Sequence, residues 1–161
     1  YSNNLQSYDN KIASGGSAGF CNDREMASGY TWSSQPSSTF YYAAYERRSN
    51  GTPSYECSNT NDLYTTKIGL ITADEVMYAG AAGTTTNYGY YLYTGNYYWT
   101  MSPSDFNSSL SRANVFSVNS NGNLNWSTVI NAWGVRPVIS LTTNNTITGS
   151  GTISDPYVVV E

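Results

Sequence analysis

The chain has 161 residues, a length that fits one domain with a sizeable core. Only 11% of the residues are charged, with seven Lys and Arg and a net charge of −4. This balance excludes most nucleic-acid-binding functions, because phosphate neutralisation requires a basic patch. The chain contains no histidine, which excludes Ser-His-Asp and Cys-His nucleophiles and histidine-based metal sites.

The first part of the chain predicts few regular elements. Residues 1–14 are expected to form a short helix or an extended lead-in, and residues 15–66 are loop-rich. Within them the segment TFYYAAY (39–45) predicts one buried strand, which a polar loop, ERRSNGTPS, follows.

The clearest predicted helix covers residues 71–80, ITADEVMYAG. Thr72 is the predicted N-cap and Glu75 stands at the third helical position, so the two side chains form a capping box. The negative charge of Asp74 is favourable at the positive, N-terminal end of the helix dipole, and Gly80 ends the helix. These roles account for Asp74 and Glu75 without acid–base catalysis.

The remainder of the chain predicts strands and turns. Gly95 and Asn96 form a hairpin-type dipeptide between strands at 90–94 and 97–102. Further predicted strands are a pair over 114–126 that turns at Asn121-Gly122, an edge or bulged strand at 134–141 that contains Pro137, and a glycine-turned strand at 149–160. We therefore predict an α+β fold, with a small irregular antiparallel sheet, one or two helices and long loops in a single domain over residues 1–161.

The composition indicates an extracellular protein. Its polarity comes from Ser, Thr, Asn, Gly and Tyr, a mixture typical of secreted bacterial proteins and of binding surfaces such as paratopes. The chain begins at Tyr1 rather than Met, and we expect that an export segment or anchor has been removed. Cys21 and Cys57 are the only cysteines; free buried thiols are the alternative, but an exported chain favours a disulfide between them.

Catalysis and metal binding find little basis in the sequence. Two thiols without histidine cannot complete the usual zinc shell, and no Gly-rich phosphate loop with a Lys occurs. Calcium binding stays open, although there is no Asp-x-Asp-x-Asp-Gly loop. A two-carboxylate glycosidase is also open, if members of the set Asp23, Glu25, Glu46, Glu56, Asp62, Asp105 and Asp155 pair in space. We expect no catalytic residue, metal or cofactor.

Five segments occur in a characteristic order along the chain: FCNDRE (20–25), GLITADEVMYAG (69–80), YLYTGNYYWTMSP (91–103), GVRPVISL (134–141) and GSGTISDPYVV (149–159). In these segments the chain resembles a family of uncharacterised domains from surface and secreted proteins of gut-type Gram-positive bacteria. The resemblance covers nearly the whole chain. It implies a location at the cell surface or outside the cell, and it brings no activity with it.

The segment WTMSP (99–103), followed by GVRPV (134–138), resembles the C-type lectin-like fold in its formylglycine-generating-enzyme variant. Enzyme members of that fold use a cysteine pair late in the chain. No cysteine follows Cys57 here, so this oxidase activity is not expected. The same fold serves as the variable receptor of diversity-generating retroelements, whose ligand-facing positions are rich in Tyr, Asn and Ser. Residues 118–133 lie where such a region is expected.

This resemblance implies one exposed ligand-binding surface, made by the loops before residue 134 and the tip of the tyrosine hairpin. Its candidate side chains combine flat apolar area with amide hydrogen bonding, and they are Tyr97, Asn123, Asn125, Trp126, Asn131 and Trp133. The competing interpretation makes Trp126 and Trp133 core residues. Trp99 is predicted to be core, and Arg136 is predicted to hold a loop carbonyl or a carboxylate.

The leading hypothesis is a non-enzymatic extracellular binding domain, an adhesin or surface receptor for a protein or glycan on another cell or surface. The alternative from another class is a structural subunit or headpiece of a pilus-like assembly, which implies self-assembly and an anchoring helix trimmed before Tyr1. The third hypothesis is a secreted glycosidase.

The capping box leads to a first prediction. Thr72→Ala should lower the free energy of unfolding by about 1 kcal/mol, the usual loss for an N-cap, and leave ligand binding intact. Chemical denaturation and a binding assay on the same preparation measure both effects. Lost binding with unchanged stability would contradict the capping role.

Overall fold

A computed structural model describes residues 18–31, 33, 39–57, 63–81, 83–140, 146–152 and 154–160, and the element predicted over residues 1–14 lies outside them. The α+β prediction is confirmed. The helices are α1 (Ala43–Asn50) and α2 (Ala73–Tyr78), and no helix among the described residues is long and apolar enough to cross a membrane. The strands are β1 (Ala18–Cys21), β2 (Thr39–Tyr41), β3 (Leu63–Thr66), β4 (Ile68–Leu70), β5 (Tyr98–Asn107), β6 (Arg112–Val118), β7 (Leu124–Thr128), β8 (Gly134–Val135), β9 (Pro137–Ile139), β10 (Thr146–Thr148) and β11 (Val158–Val160).

The main sheet is antiparallel in the order β2-β5-β6-β7, and β8 joins β5 in parallel. Small two-stranded antiparallel sheets accompany it: β1-β3, β4-β9 and β10-β11. One edge of β5 bonds to β6. The other is shared by β8, by β2 and by the carbonyl of Ile71, which accepts the amide of Met101 at 2.9 Å. β5 is therefore the centre of the fold.

The core lies between one face of the main sheet and the two helices. Alternate residues of β6 and β7 point into it, as expected for strands with one buried face. The loop after α2 closes its end. The buried core residues are Ala44, Ala73, Val76, Ala81, Tyr90, Leu92, Tyr98, Phe116, Val118 and Leu124.

Helix α2 begins as predicted. The Thr72 hydroxyl accepts the amide of Glu75 at 3.1 Å, and the Glu75 carboxylate accepts the amide of Thr72 at 2.7 Å. The capping box is thus confirmed. Gly80, with a φ of 113°, follows the end of the helix, where its left-handed backbone suits glycine.

The predicted strand pair over residues 114–126 is also confirmed, as β6 and β7. The amide of Asn119 donates to the Asn123 carbonyl at 3.0 Å across the turn, and Gly122 has a φ of 80°. A Cβ at Gly122 would collide with the carbonyl of Asn87, so this position requires glycine for close packing as well as for its turn.

The predicted strand over residues 39–45 is only partly right, because β2 ends at Tyr41 and α1 begins at Ala43. The following residues, predicted as a polar loop, continue α1 until Gly51, whose φ is 66°. The helix depends on tertiary contacts, since Ala44 is buried in the core and Arg47 pairs with acidic residues of other segments.

The strand predicted over residues 97–102 is confirmed within β5, but the strand predicted over residues 90–94 and the hairpin around Gly95-Asn96 are wrong. Residues 87–96 form turns, and β5 starts only at Tyr98, where it pairs with β6 and β8. Tyr90 and Leu92 are drawn into the core, and the Tyr98 hydroxyl donates to the Leu92 carbonyl at 2.9 Å. These contacts replace the strand ladder that local alternation indicated.

The predicted strand over 134–141 divides at Arg136, into β8 beside β5 and β9 beside β4. Arg136 donates from Nη1 to the Leu92 carbonyl at 2.7 Å, and its guanidinium carbon lies 5.0 Å from the centre of the Tyr98 ring. The predicted role of Arg136 in holding a loop carbonyl is confirmed. The break in the strand turns this side chain toward the core.

The central ion pair joins α1 to α2. Arg47 donates to the carboxylate of Asp74 through Nε at 2.7 Å and Nη2 at 2.8 Å, and Nη2 also lies 2.8 Å from the carboxylate of Asp23. Both carboxylates are almost fully buried. The hydrogen bonds to Asp74 raise the pKa of Arg47 above its usual range, so the cation stays charged wherever the protein is folded.

The predicted disulfide is confirmed, with Cys21 at the end of β1 bonded to Cys57 beyond α1. Disulfides of this kind are typical of proteins that function outside the cytoplasm.

The ion pair leads to a second prediction. Arg47→Ala should lower the free energy of unfolding by about 3–5 kcal/mol, because it removes the cation that pairs with two buried carboxylates. Arg112→Ala is the matched control, since Arg112 is exposed and forms no ion pair among the described residues; its effect should stay within about 0.5 kcal/mol. Urea denaturation compares the two, and equal losses would contradict the assigned role of the cluster.

Candidate functional site

The main sheet has two faces with different surroundings. Trp99, Ser117 and Asn125 lie opposite one another on β5, β6 and β7, so their side chains share the face that points away from the core. Val135 of β8, the partner of Trp99, continues this row. We call this the outer face.

Three aromatic rings meet on the outer face. The ring centre of Trp133 lies 4.6 Å from that of Tyr97 and 4.9 Å from that of Trp99, and the two indoles are inclined by only 24°. The amide of Gly134 donates to the Tyr97 carbonyl at 3.0 Å and so holds Trp133 against the start of β5. Tyr97 is 39% exposed, and the two tryptophans are partly buried. We call these three residues the tryptophan cluster.

An exposed apolar side chain lies beside the tryptophan cluster, and polar side chains share its face of the sheet. Val135, the strand partner of Trp99, is 63% exposed. Asn125 and Ser127 of β7 lie on the same face and are partly exposed. An exposed apolar patch bordered by polar side chains is typical of an interaction site.

Trp126 lies on the opposite face of the sheet. It pairs with Phe116, a fully buried core residue, yet Trp126 is 44% exposed, so the core ends between these two side chains. Beside Trp126 is a cavity of about 200 Å³. We call it the Trp126 pocket, and its aromatic and polar lining includes Tyr41, Tyr45, Asp105, Arg112, Asn114 and Trp126.

A buried polar pair forms part of the Trp126 pocket. Asp105 is 5% exposed, and its carboxylate accepts the amide nitrogen of Asn114 at 2.7 Å and the hydroxyl of Ser104 at 2.8 Å. The amide oxygen of Asn114 is buried and has no hydrogen-bond partner within the described part of the chain. Four other buried side-chain atoms of the described residues, in Arg48, Tyr90, Asn119 and Asn123, also have no partner, but these residues do not line the Trp126 pocket.

Two tyrosines form another wall of this pocket. The rings of Tyr41 and Tyr45 stack with their centres 4.1 Å apart. Burial raises the pKa of Tyr41, and the neighbouring Tyr45 and Asp105 raise it further. Both effects disfavour the phenolate, so near neutral pH Tyr41 is a neutral phenol that can donate a hydrogen bond.

The candidate residues from the sequence do not form one surface. Tyr97 and Trp133 are in contact, but strand alternation puts Asn125 and Trp126 on opposite faces of β7. Asn123 is only 6% exposed and donates its side-chain amide to the Thr84 carbonyl, so it is a buried loop anchor rather than a surface residue. Asn131 is exposed in the turn after β7.

Sequence reasoning missed most of the Trp126 pocket. Tyr41 and Tyr45 fall in a segment predicted as one continuous strand, whereas a strand and a helix place their rings together. Asp105 was a candidate only as a glycosidase carboxylate. The signal that could have found the site is a pair of polar residues, Asp105 and Asn114, within two strands of the central sheet.

A larger cavity of about 520 Å³ lies beside the disulfide. Its acidic lining includes Asp23 and Asp74, which are paired with Arg47, Glu75, which caps α2, and the exposed Glu56. The carboxylates of Asp23, Asp74 and Glu75 are thus already used in structural bonds. Among the described residues no group of three or more Cys, Asp or Glu is arranged to hold a metal ion, and Asp62 lies outside them.

Residues 37–143, about two thirds of the chain, match the family model "Domain of unknown function (DUF6273)". The chain belongs to the DUF6273 family. No curated protein and no solved structure matches it. The DUF6273 region extends from before β2 to beyond β9, so it contains both helices, the main sheet, the tryptophan cluster and the Trp126 pocket. Cys21 and the β10-β11 hairpin lie outside it.

Proposed function

We propose that this DUF6273 protein is a non-enzymatic extracellular binding domain, an adhesin or surface receptor, whose ligand packs on the tryptophan cluster. The observation that carries the proposal is the contact of Tyr97, Trp99 and Trp133 on the face of the sheet turned away from the core. Large aromatic side chains held in fixed positions supply contact area at little conformational cost, and they dominate the binding energy of many interfaces.

The surroundings of the cluster favour a protein ligand over a glycan. Val135, the strand partner of Trp99, extends the aromatic surface with exposed aliphatic area, which packs against apolar side chains of a partner but offers a sugar no hydrogen bonds. Asn125 and Ser127 border this area with polar groups. An apolar centre within a polar rim is the usual anatomy of a protein interface.

The disulfide supports the extracellular part of the proposal, because such bonds persist in oxidising surroundings. The C-type lectin-like resemblance and the bacterial surface origin remain predictions from the sequence motifs, and the binding function does not depend on them.

The pilus-like alternative could assemble by adding a strand of another chain to β7, the edge strand of the main sheet. The hydrogen bonds along this edge do not favour that route. Four backbone groups on the outward edge of β7 are already bonded: the Leu124 carbonyl to Arg48, the Trp126 amide and carbonyl to the side chains of Asn125 and Ser127, and the Thr128 carbonyl to the amide of Asn131. Strand addition at this edge would have to break these bonds.

The proposal predicts the effect of removing the cluster. Tyr97→Ala and Trp133→Ala should each weaken binding by about 2 kcal/mol, or roughly 30-fold, as interface hot spots do. The matched control is Tyr64→Ala, which removes a 61% exposed tyrosine of β3 outside the cluster and should leave binding unchanged.

The ligand for this measurement comes from a screen of the domain against immobilised cell-surface proteins and, in parallel, a glycan array. Binding curves of the variants against the strongest protein ligand then test the site, with thermal melting as the check on folding. Full binding by both cluster variants would overturn the site. A ligand found only on the glycan array would replace the protein partner with a sugar.

A further inference from the structure

We propose that the Trp126 pocket is a second binding site, separate from the tryptophan cluster, that takes one neutral pyranose ring, such as the terminal sugar of a glycan. Its position on the other face of the sheet makes it independent of the binding surface proposed above.

The size and walls of the pocket suit a single sugar ring. A volume of about 200 Å³ is below the roughly 300–1,000 Å³ of sites for drug-sized ligands, and it suits one small ring. The half-exposed indole of Trp126 and the stacked rings of Tyr41 and Tyr45 provide aromatic faces. The C–H groups of a pyranose form a weakly positive apolar patch that packs on the negative face of such a ring.

The polar groups match the hydroxyls of a sugar. The carboxylate of Asp105 accepts one hydrogen bond from Asn114 and one from Ser104, and a carboxylate has about four acceptor positions. The guanidinium of Arg112 has no hydrogen-bond or ion-pair partner among the described residues, so it is available as a donor. A hydroxyl both donates and accepts, and it can therefore bind next to either group.

The unpaired amide oxygen of Asn114 is the observation that points most directly to a ligand. Its amide nitrogen is committed to Asp105, which directs the oxygen away from that carboxylate. The oxygen is left buried without a donor in the described part of the chain, a state that costs free energy. A ligand hydroxyl, directly or through one water, would supply the missing hydrogen bond.

Other classes of ligand fit less well. A purely apolar ligand would leave the amide oxygen of Asn114 unpaired and would add no hydrogen bond to the carboxylate of Asp105, which is unfavourable. An anion would be repelled by the buried charge of Asp105, and a metal ion would be opposed by Arg112. A neutral polyhydroxylated ring satisfies both polar groups and packs against Trp126.

The proposal is tested by titrating the wild-type domain with free monosaccharides and their methyl glycosides. The tryptophan indole N–H signals in nuclear magnetic resonance spectra report the binding. At least one neutral pyranose should bind with a Kd on the order of 1 mM. It should shift the Trp126 signal, identified by its absence in Trp126→Phe, and leave those of Trp99 and Trp133 in place. Binding by no sugar of the panel, or a shift confined to another indole, would overturn the proposal.

Variants separate this site from the tryptophan cluster. Trp126→Ala should weaken sugar binding at least roughly tenfold, Trp126→Phe should restore part of it, and Asp105→Asn, which keeps the shape but removes the charge, should weaken it. Trp133→Ala is the matched control and should bind the sugar as the wild type does. If Trp133→Ala loses the protein ligand but still binds the sugar, the two sites are independent, and the failure of one proposal can be told from the failure of the other. Wild-type sugar affinity in Trp126→Ala would contradict the pocket.

Discussion

The ion pair between Arg47 and Asp74 is the interaction on which the placement of both helices depends. One guanidinium pairs with the carboxylate at the start of α2 and with a second buried carboxylate beyond β1, and Asp74 also accepts the amide of Ser54 at 3.0 Å. Helix α2 is in turn attached to the sheet, because Ala73 donates its amide to the hydroxyl of Ser102 at 2.9 Å. The buried charges of Arg47, Asp74 and Asp23 hold both helices beside the sheet, and each of these charges is stable in the interior only because the others are there.

Because the helices lie on one side of the sheet, the strand pair β6-β7 contributes side chains to two different surfaces, one on each face. Helices α1 and α2 cover only part of one face of the β6-β7 pair, so Phe116 is buried while Trp126, directly opposite it, is half exposed. The neighbouring residue Asn125 points to the outer face, in the same row as Ser117 and Trp99. The tryptophan cluster and the Trp126 pocket therefore lie on opposite faces of the sheet.

Two polar side chains of β7 bond to the backbone at the edge of the main sheet. The side-chain oxygen of Asn125 accepts the amide of Trp126 at 2.9 Å, and Ser127 donates to the Trp126 carbonyl at 2.8 Å. These side chains occupy the backbone groups that would otherwise recruit another strand. Asn125 and Ser127, whose residue types the sequence associates with ligand contact, therefore protect the backbone of Trp126 at the sheet edge.

Local chemistry in the sequence determined the parts of the protein that depend on neighbouring residues alone. The capping box of Thr72 and Glu75 and the turn at Gly122 follow from residue types at short spacing, and the disulfide follows from the composition and the cysteine count. The role of Arg136 follows from a single charge in an apolar strand. The α+β class follows from the sum of such elements.

Tertiary structure decided what distant segments do to one another. Helix α1 replaced a predicted loop because Ala44 reaches the core and Arg47 finds its carboxylates, and neither partner is near in sequence. The tyrosine-rich hairpin did not form because Leu92 is held by the core and by Arg136. The candidate residues lie on two surfaces for the same reason. Strand alternation predicts that the side chains of residues 125 and 126 point to opposite faces of the sheet, but only tertiary packing decides which face the helices cover.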